Sequence, residues 1–318
     1  MIYYDLKSKA EVIQTHFKKV KADWIDQRME ESSLNLPLKK FINDNLFEII
    51  TGSPQQLINI NSKLKSHPRY KESLKGKIKK IIDYNNFSEK HPNKYDAYDL
   101  AKALDVRTCL YCNRMYTLTV ESGKRREEKL TRPQFDHFFD KGKNPLLGLS
   151  IFNLVPSCVI CNSTLKGRKQ FNLNSNIHPY VDNIINNYNF TYDTENIESL
   201  LGTDSEINVW INYYGLSKKK EVAASNNVEI FKINEIMSAH SEELVDLFNL
   251  RYRYSERYFE ELIKTFDSVN LNVEDLYRTV FGSYYRPDQF TKRPFSKLKR
   301  DILEKLEIVL PEMMNEKI

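Results

Sequence analysis

Apolar residues recur at helical spacing through the first third of the chain. Between Glu11 and Met29, Val12, Phe17, Val20 and Trp24 fall three to five positions apart, and Leu38, Ile42, Leu46 and Ile49 repeat every three or four. Each set lines one face of a helix. Thr51-Gly52-Ser53-Pro54 breaks the second helix and opens the next, with Ser53 as the cap and Pro54 in the first turn, where a missing N–H costs nothing. Ser66-His67-Pro68 is a further break. Leu74, Ile78, Ile81 and Ile82 then form an apolar face on a lysine-rich helix, His91-Pro92-Asn93 reads as a turn, and Tyr95 to Leu104 reads as a short helix.

The pattern changes at Val106. Met115 to Val120 is β-branched and aromatic, Glu121 to Lys124 is a turn, and Leu130 to Phe135 can return as a strand. Pro133 limits that strand to an edge or a start, because it cannot donate to a ladder. Further on, Asn189 to Tyr192 and Ile207 to Tyr213 alternate with a period of two, whereas Ile233 to Phe266 and Pro294 to Leu310 are helical again. There is no internal repeat and no low-complexity tract. The pattern predicts an α+β chain in three regions: a helical part over 1–104, a segment over 105–182, and a small β segment followed by helices over 183–318.

Composition narrows the classes. Hydrophobic residues make up 41% and charged residues 29% of the 318, which fits a soluble globular chain and excludes a disordered one. No apolar run approaches the length of a membrane span. Met1 to Lys9 has neither an apolar core nor a small-residue cleavage site, so the expectation is a cytoplasmic protein without a secretory leader. The net charge of +5 permits a polyanionic partner without requiring one. The four cysteines fall as two C-x-x-C pairs, Cys109/Cys112 and Cys158/Cys161. That is the spacing of a tetrahedral thiolate site, in which zinc has a closed shell and is structural. Two disulfides or a redox pair are the alternatives.

Chemistry concentrates between Cys109 and Lys169. Asp136 and His137 adjoin within Q-F-D-H-F-F. On a strand, one side chain can face a metal while the other faces water, and histidine is the usual general base near neutral pH. A chance surface dipeptide is the alternative. Asn162 follows Cys161 directly and offers a carboxamide oxygen to Mg2+ or Mn2+. Asn153 reads as the side chain that pins the loop carrying His137, or as a loop asparagine with no role. Lys166, Arg168 and Lys169 follow on the same helix and could neutralise a nucleic-acid backbone, or form a solvated helix end. His178, in Ile-His-Pro-Tyr, is an extra ligand, a phosphate contact or a turn histidine. Lys124, Arg125 and Arg126 at a hairpin tip are further candidate backbone contacts, and Arg251 to Arg257 reads as a helix face packed on the core, with nucleic-acid contact as the alternative.

In this order the motifs C-L-Y-C, D-H, Asn153 and C-V-I-C-N resemble the HNH, or His-Me finger, nucleases, and within them the four-cysteine branch of the phage endonuclease VII type. The resemblance covers about a fifth of the chain. It implies a small zinc-stapled ββα-metal core within helical flanks, hydrolysing DNA phosphodiesters. Asp136 and Asn162 would hold the catalytic Mg2+ or Mn2+, His137 would activate water, and Asn153 would orient the loop. Asp140 to Ser150 contains no second histidine, so no third protein ligand is evident. The helical flanks and the His-Pro-Tyr are also similar to HNH subunits of Septu-like antiphage defence systems, which implies an ATPase partner. The rival is a non-catalytic zinc-dependent nucleic-acid-binding or interaction subunit, which would keep the cysteines without needing Asp136 and His137.

Overall fold

A computed structural model of the protein describes residues 1–122, 128–194, 207–253, 261 and 273–308. The N-terminal periodicities become α1 (Ala10–Val20), a wide π turn (Lys21–Ile25), α2 (Asp26–Glu31), α3 (Leu36–Asp44), α4 (Leu46–Thr51), α5 (Pro54–Lys65), α6 (Lys75–Ile81), α7 (Tyr84–Ser88) and α8 (Ala97–Leu104). Side chains set several starts. Asn35 accepts from Leu38 N at 3.1 Å, Asp83 from Asn86 N at 3.2 Å and Asp96 from Tyr98 N at 2.9 Å. These acceptors satisfy N–H groups that no helical carbonyl reaches. Pro54 opens α5 after Ser53, whose N–H donates to Gln56 Oε1 at 2.9 Å. The apolar face over 38–49, which spacing joins into one helix, is divided at Asn45. Its amide donates to Phe41 O at 2.7 Å and its backbone leaves helical angles.

Contacts divide the chain into two units. One comprises Tyr4–Leu110 and Thr117–Asp182, so the N-terminal helices and most of the motif segment fold together. Its core includes Val20, Ile42, Ile49, Leu57 and Ile78. Two short antiparallel hairpins lie in this unit. β1 (Val120–Ser122) pairs with β2 (Glu128–Thr131), and β3 (Gln134–His137) pairs with β4 (Leu154–Ser157). The expected strand over Met115–Val120 shrinks to its last residue, and the expected return over Leu130–Phe135 becomes two strands with different partners. Pro133 is the reason: the break at Arg132-Pro133 ends one ladder and releases β3 to pair with β4. Lys124, Arg125 and Arg126 lie outside the described residues.

The other unit comprises Met1–Tyr3, Tyr111–Tyr116 and Asn183–Ile318. The two alternating stretches form an antiparallel pair, β5 (Tyr188–Thr194) and β6 (Ile207–Tyr213). Tyr188, Phe190, Ile207 and Val209 are buried, while Asn189 and Asn208 face out. Helix Ile233–Ser238 packs on β6 and helix Ser296–Lys305 on β5. Helix Glu242–Arg253 ends with Tyr252 and Arg253 exposed, so these two do not pack on a core. The rest of the Arg251–Arg257 run lies outside the described residues. The chain is thus mostly helical with small two-stranded sheets, an α+β fold. Among the described residues no helix is long and apolar enough to cross a membrane.

Candidate functional site

The four cysteines are brought together. Their sulfurs all lie within 4.8 Å of one another, all four residues are buried, and no disulfide forms among them. Tetrahedral zinc–thiolate bonds of about 2.3 Å put sulfurs roughly 3.8 Å apart, so the donor set fits a closed, structural zinc site. The second pair is shaped as a metal knuckle: Cys161 N–H points to Cys158 Sγ at 3.4 Å, and Asn162 N–H donates to Cys158 O at 3.0 Å. Leu110 N–H donates to Pro156 O at 3.3 Å and ties the first pair to β4. Four thiolates buried at this spacing are a cluster capable of chelating a metal ion.

Asp136 and His137 end β3, opposite Val155 and Leu154. The loop from Phe138 to Asn153 then returns to β4, and Asn153 stitches it. Its Oδ1 accepts from Phe139 N at 2.7 Å, and its Nδ2 donates to Phe139 O at 3.1 Å and Leu147 O at 2.9 Å. Three histidines hold the far side of this loop by the same atom. His137 Nε2 meets Gly148 O at 3.0 Å, His16 Nε2 meets Leu149 O at 2.8 Å and His178 Nε2 meets Phe152 O at 2.9 Å. A carbonyl can only accept, so each Nε2 carries the proton and each Nδ1 keeps its lone pair. Burial pushes all three imidazoles down, His137 to about 3 and His16 and His178 to about 4. For His137, the nearby Lys141 ammonium adds to that effect. All three rings are neutral near pH 7.

A cleft of about 410 Å³ opens beside His137. Arg132, Lys141, Lys166 and Lys169 line it against two carboxylates, Asp136 and Asp140, so its wall carries a cationic surplus. Tyr84 sets its ring edge-on to His137, with centroids 4.3 Å apart, and Lys141 stacks over Tyr84 at 4.2 Å. Burial lifts the Tyr84 phenol to about 12 and lowers the Lys141 ammonium. Asn162 also lines the cleft, but its amide donates to Gln134 Oε1 at 2.8 Å. Lys166 reaches both oxygens of Asp136 at 2.7 Å and His137 O at 2.6 Å. The expected Mg2+ or Mn2+ on Asp136 and Asn162 therefore does not fit this arrangement, because an ammonium already occupies both carboxylate oxygens.

No family model, curated protein or solved structure matches the chain.

Several sequence expectations change with placement. Lys166 is a buried ion-pair partner, not a solvated backbone contact. His178 is wholly buried; its Nδ1 accepts from Tyr180 N at 3.2 Å, so it anchors the chain before β4 and offers nothing to a phosphate. Arg168 and Lys169 are exposed, and of these only Lys169 lines the cleft. Sequence reasoning missed Tyr84, Arg132 and Lys141, which come from α7 and the strand flanks and carry no motif. Lys166 did leave a signal. It stands four residues after Asn162, hence on the same helical face, turned toward β3.

Proposed function

We propose that the chain is an HNH-type nuclease that hydrolyses DNA phosphodiesters at the His137 cleft. The observation that carries this reading is a neutral imidazole of fixed tautomer in the wall of a cationic cleft. The local order is also the one the resemblance calls for: strand β3, strand β4, then the helical turn Ile160–Lys166, with cysteine pairs at 109/112 and 158/161 on either side of the hairpin. In this scheme His137 Nδ1 takes a proton from water as the oxygen attacks phosphorus, the bond from phosphorus to the 3′ oxygen breaks, and the departing 3′ oxygen takes a proton from solvent. Gly148 O, accepting from Nε2–H, steadies the imidazolium that forms. Lys141 and Lys169 attract the phosphate and stabilise its added charge. No step here passes through a divalent ion. DNA as substrate, an ATPase partner, a role in antiphage defence and a cytoplasmic location belong to the same proposal.

The test is nicking of supercoiled plasmid by purified, zinc-loaded chain with Mg2+ or Mn2+. His137→Ala should keep zinc and fold while cleavage falls roughly 10²–10⁴-fold. Equal cleavage by folded His137→Ala would sink the reading. One observation favours the non-catalytic rival: Asp136 is already neutralised by Lys166. DNA binding that is intact in both proteins, with no nicking by either, would decide for that rival.

A further inference from the structure

The Asp136–Lys166 pair is closed on every side that its ammonium can reach. A lysine ammonium has three N–H donors, and here they meet Asp136 Oδ1, Asp136 Oδ2 and His137 O. Both side chains are 4% exposed. The Phe171 ring lies 4.8 Å from Nζ and adds a cation–π contact. Lys166 is held in this position by backbone geometry. The turn Ile160–Lys166 is wound wide, closed by Gly167 N–H to Asn162 O at 2.9 Å, and Gly167 ends it at φ 50°.

A divalent ion on Asp136 would have to bond an oxygen that already accepts from Lys166. It would also sit within a few ångströms of the ammonium, where a double charge meets twice the repulsion of a single one. We propose that Lys166 is the built-in cation of the Asp136 centre: in the resting chain it neutralises the carboxylate, keeps divalent ions off it, and so sets the threshold at which the centre takes a metal. This deepens the hydrolytic reading of the cleft and rests on it for the meaning of that threshold. The occupancy itself is measured without any cleavage. Lys166 is here a positioning residue that acts through Asp136.

The experiment is titration of full-length, zinc-loaded protein with Mn2+, read as free Mn2+ by electron paramagnetic resonance. The proteins are wild type, Lys166→Met, Asp136→Asn and the double variant. Lys166→Met should gain a Mn2+ site at least about tenfold tighter than any Asp136-dependent site in wild type, and the double variant should lose it. Wild type and Asp136→Asn should titrate alike. A wild-type site as tight as that of Lys166→Met and abolished by Asp136→Asn would overturn the proposal. So would a folded, zinc-bearing Lys166→Met that gains nothing. Should Lys166→Met fail to fold, the comparison of wild type with Asp136→Asn decides alone. Plasmid nicking run in parallel separates the two ideas: a protein that never cleaves yet shows this Mn2+ pattern removes the nuclease reading and leaves the internal cation standing.

Discussion

Two buried lysines in this protein have nearly the same surroundings and opposite settings. Lys297 Nζ reaches both oxygens of Asp301, at 2.6 and 2.5 Å, the Tyr188 carbonyl at 2.8 Å, and the Tyr188 ring at 4.5 Å. Lys166 has the matching set: two carboxylate oxygens, one carbonyl and one ring. Lys297 and Asp301 are four residues apart on one helix, and Asp301 also accepts from Phe190 N at 2.9 Å, which bolts that helix to β5. A cavity that Lys297 lines measures about 10 Å³. Lys166 and Asp136 are thirty positions apart in sequence and share the wall of a 410 Å³ cleft. The same donor set is a bolt where nothing can approach and a competitor for incoming ions where solvent can.

The largest expected effect is on the metal that supports the cleft pair. The turn carrying Lys166 begins beside Cys161, so Cys158→Ser should remove both the zinc and the support of the Asp136–Lys166 contact. Bound zinc, measured by elemental analysis, should fall from about one per chain to near none, with a loss of several kcal/mol in stability on the order set by structural zinc sites. Next comes the bolt. Lys297→Met leaves the buried Asp301 with only the longer Arg300 contact at 3.5 Å and should cost about 3 kcal/mol in denaturant unfolding, with no recovery on adding Mn2+.

Acid should separate the units. His16 titrates near 4 in the folded protein against an ordinary 6.5, because burial disfavours its charge. As pH falls the unfolded chain therefore takes the proton first. The associated stability is fully present above about pH 6.5 and is lost as pH drops toward 4, a change of about 3 kcal/mol. His178 acts in the same direction. Amide exchange at pH 5 against pH 7 should accelerate in β3 and β4 more than in β5 and β6; equal acceleration would mean that these histidines are not the cause. The smallest effect is at the cleft pair. Lys166→Met should cost about 1–3 kcal/mol, since Asp136 lines an open cleft from which water can enter once the ammonium is gone, and Mn2+ should restore part of the melting temperature.

Much of this was legible beforehand. Periodicity locates the N-terminal helices because each buries a single face, and the alternation at 189–192 and 207–213 marks the sheet that carries Asp301's partner. The cysteine pairs announced their cluster through spacing alone. The split at Asn45 was hidden because its cause is a side-chain bond within the helix. The pairing of β3 with β4 was hidden because Pro133 signals a break without naming the next partner. At the cleft, Asp136 and His137 stood out by type and His178 by its Ile-His-Pro-Tyr setting, though for another role than holding Phe152; His16, which holds Leu149, did not stand out. His16 lies 133 residues from its carbonyl, and nothing local marks a residue whose role depends on a distant loop.

Asn153 has a consequence for how this protein ages. Asparagine side chains deamidate when the following backbone nitrogen can swing onto the carboxamide carbon. Here the amide is held by Phe139 N–H on one side and by the carbonyls of Phe139 and Leu147 on the other, and Leu154 is already fixed in β4. The rotation that the chemistry needs is closed off while the loop is folded. Were it to occur after transient opening, the aspartate formed would turn an anion toward two carbonyl oxygens that had been accepting protons. That repulsion would oppose reclosure of the loop, so a single spontaneous conversion at position 153 would leave a molecule that opens more readily than before.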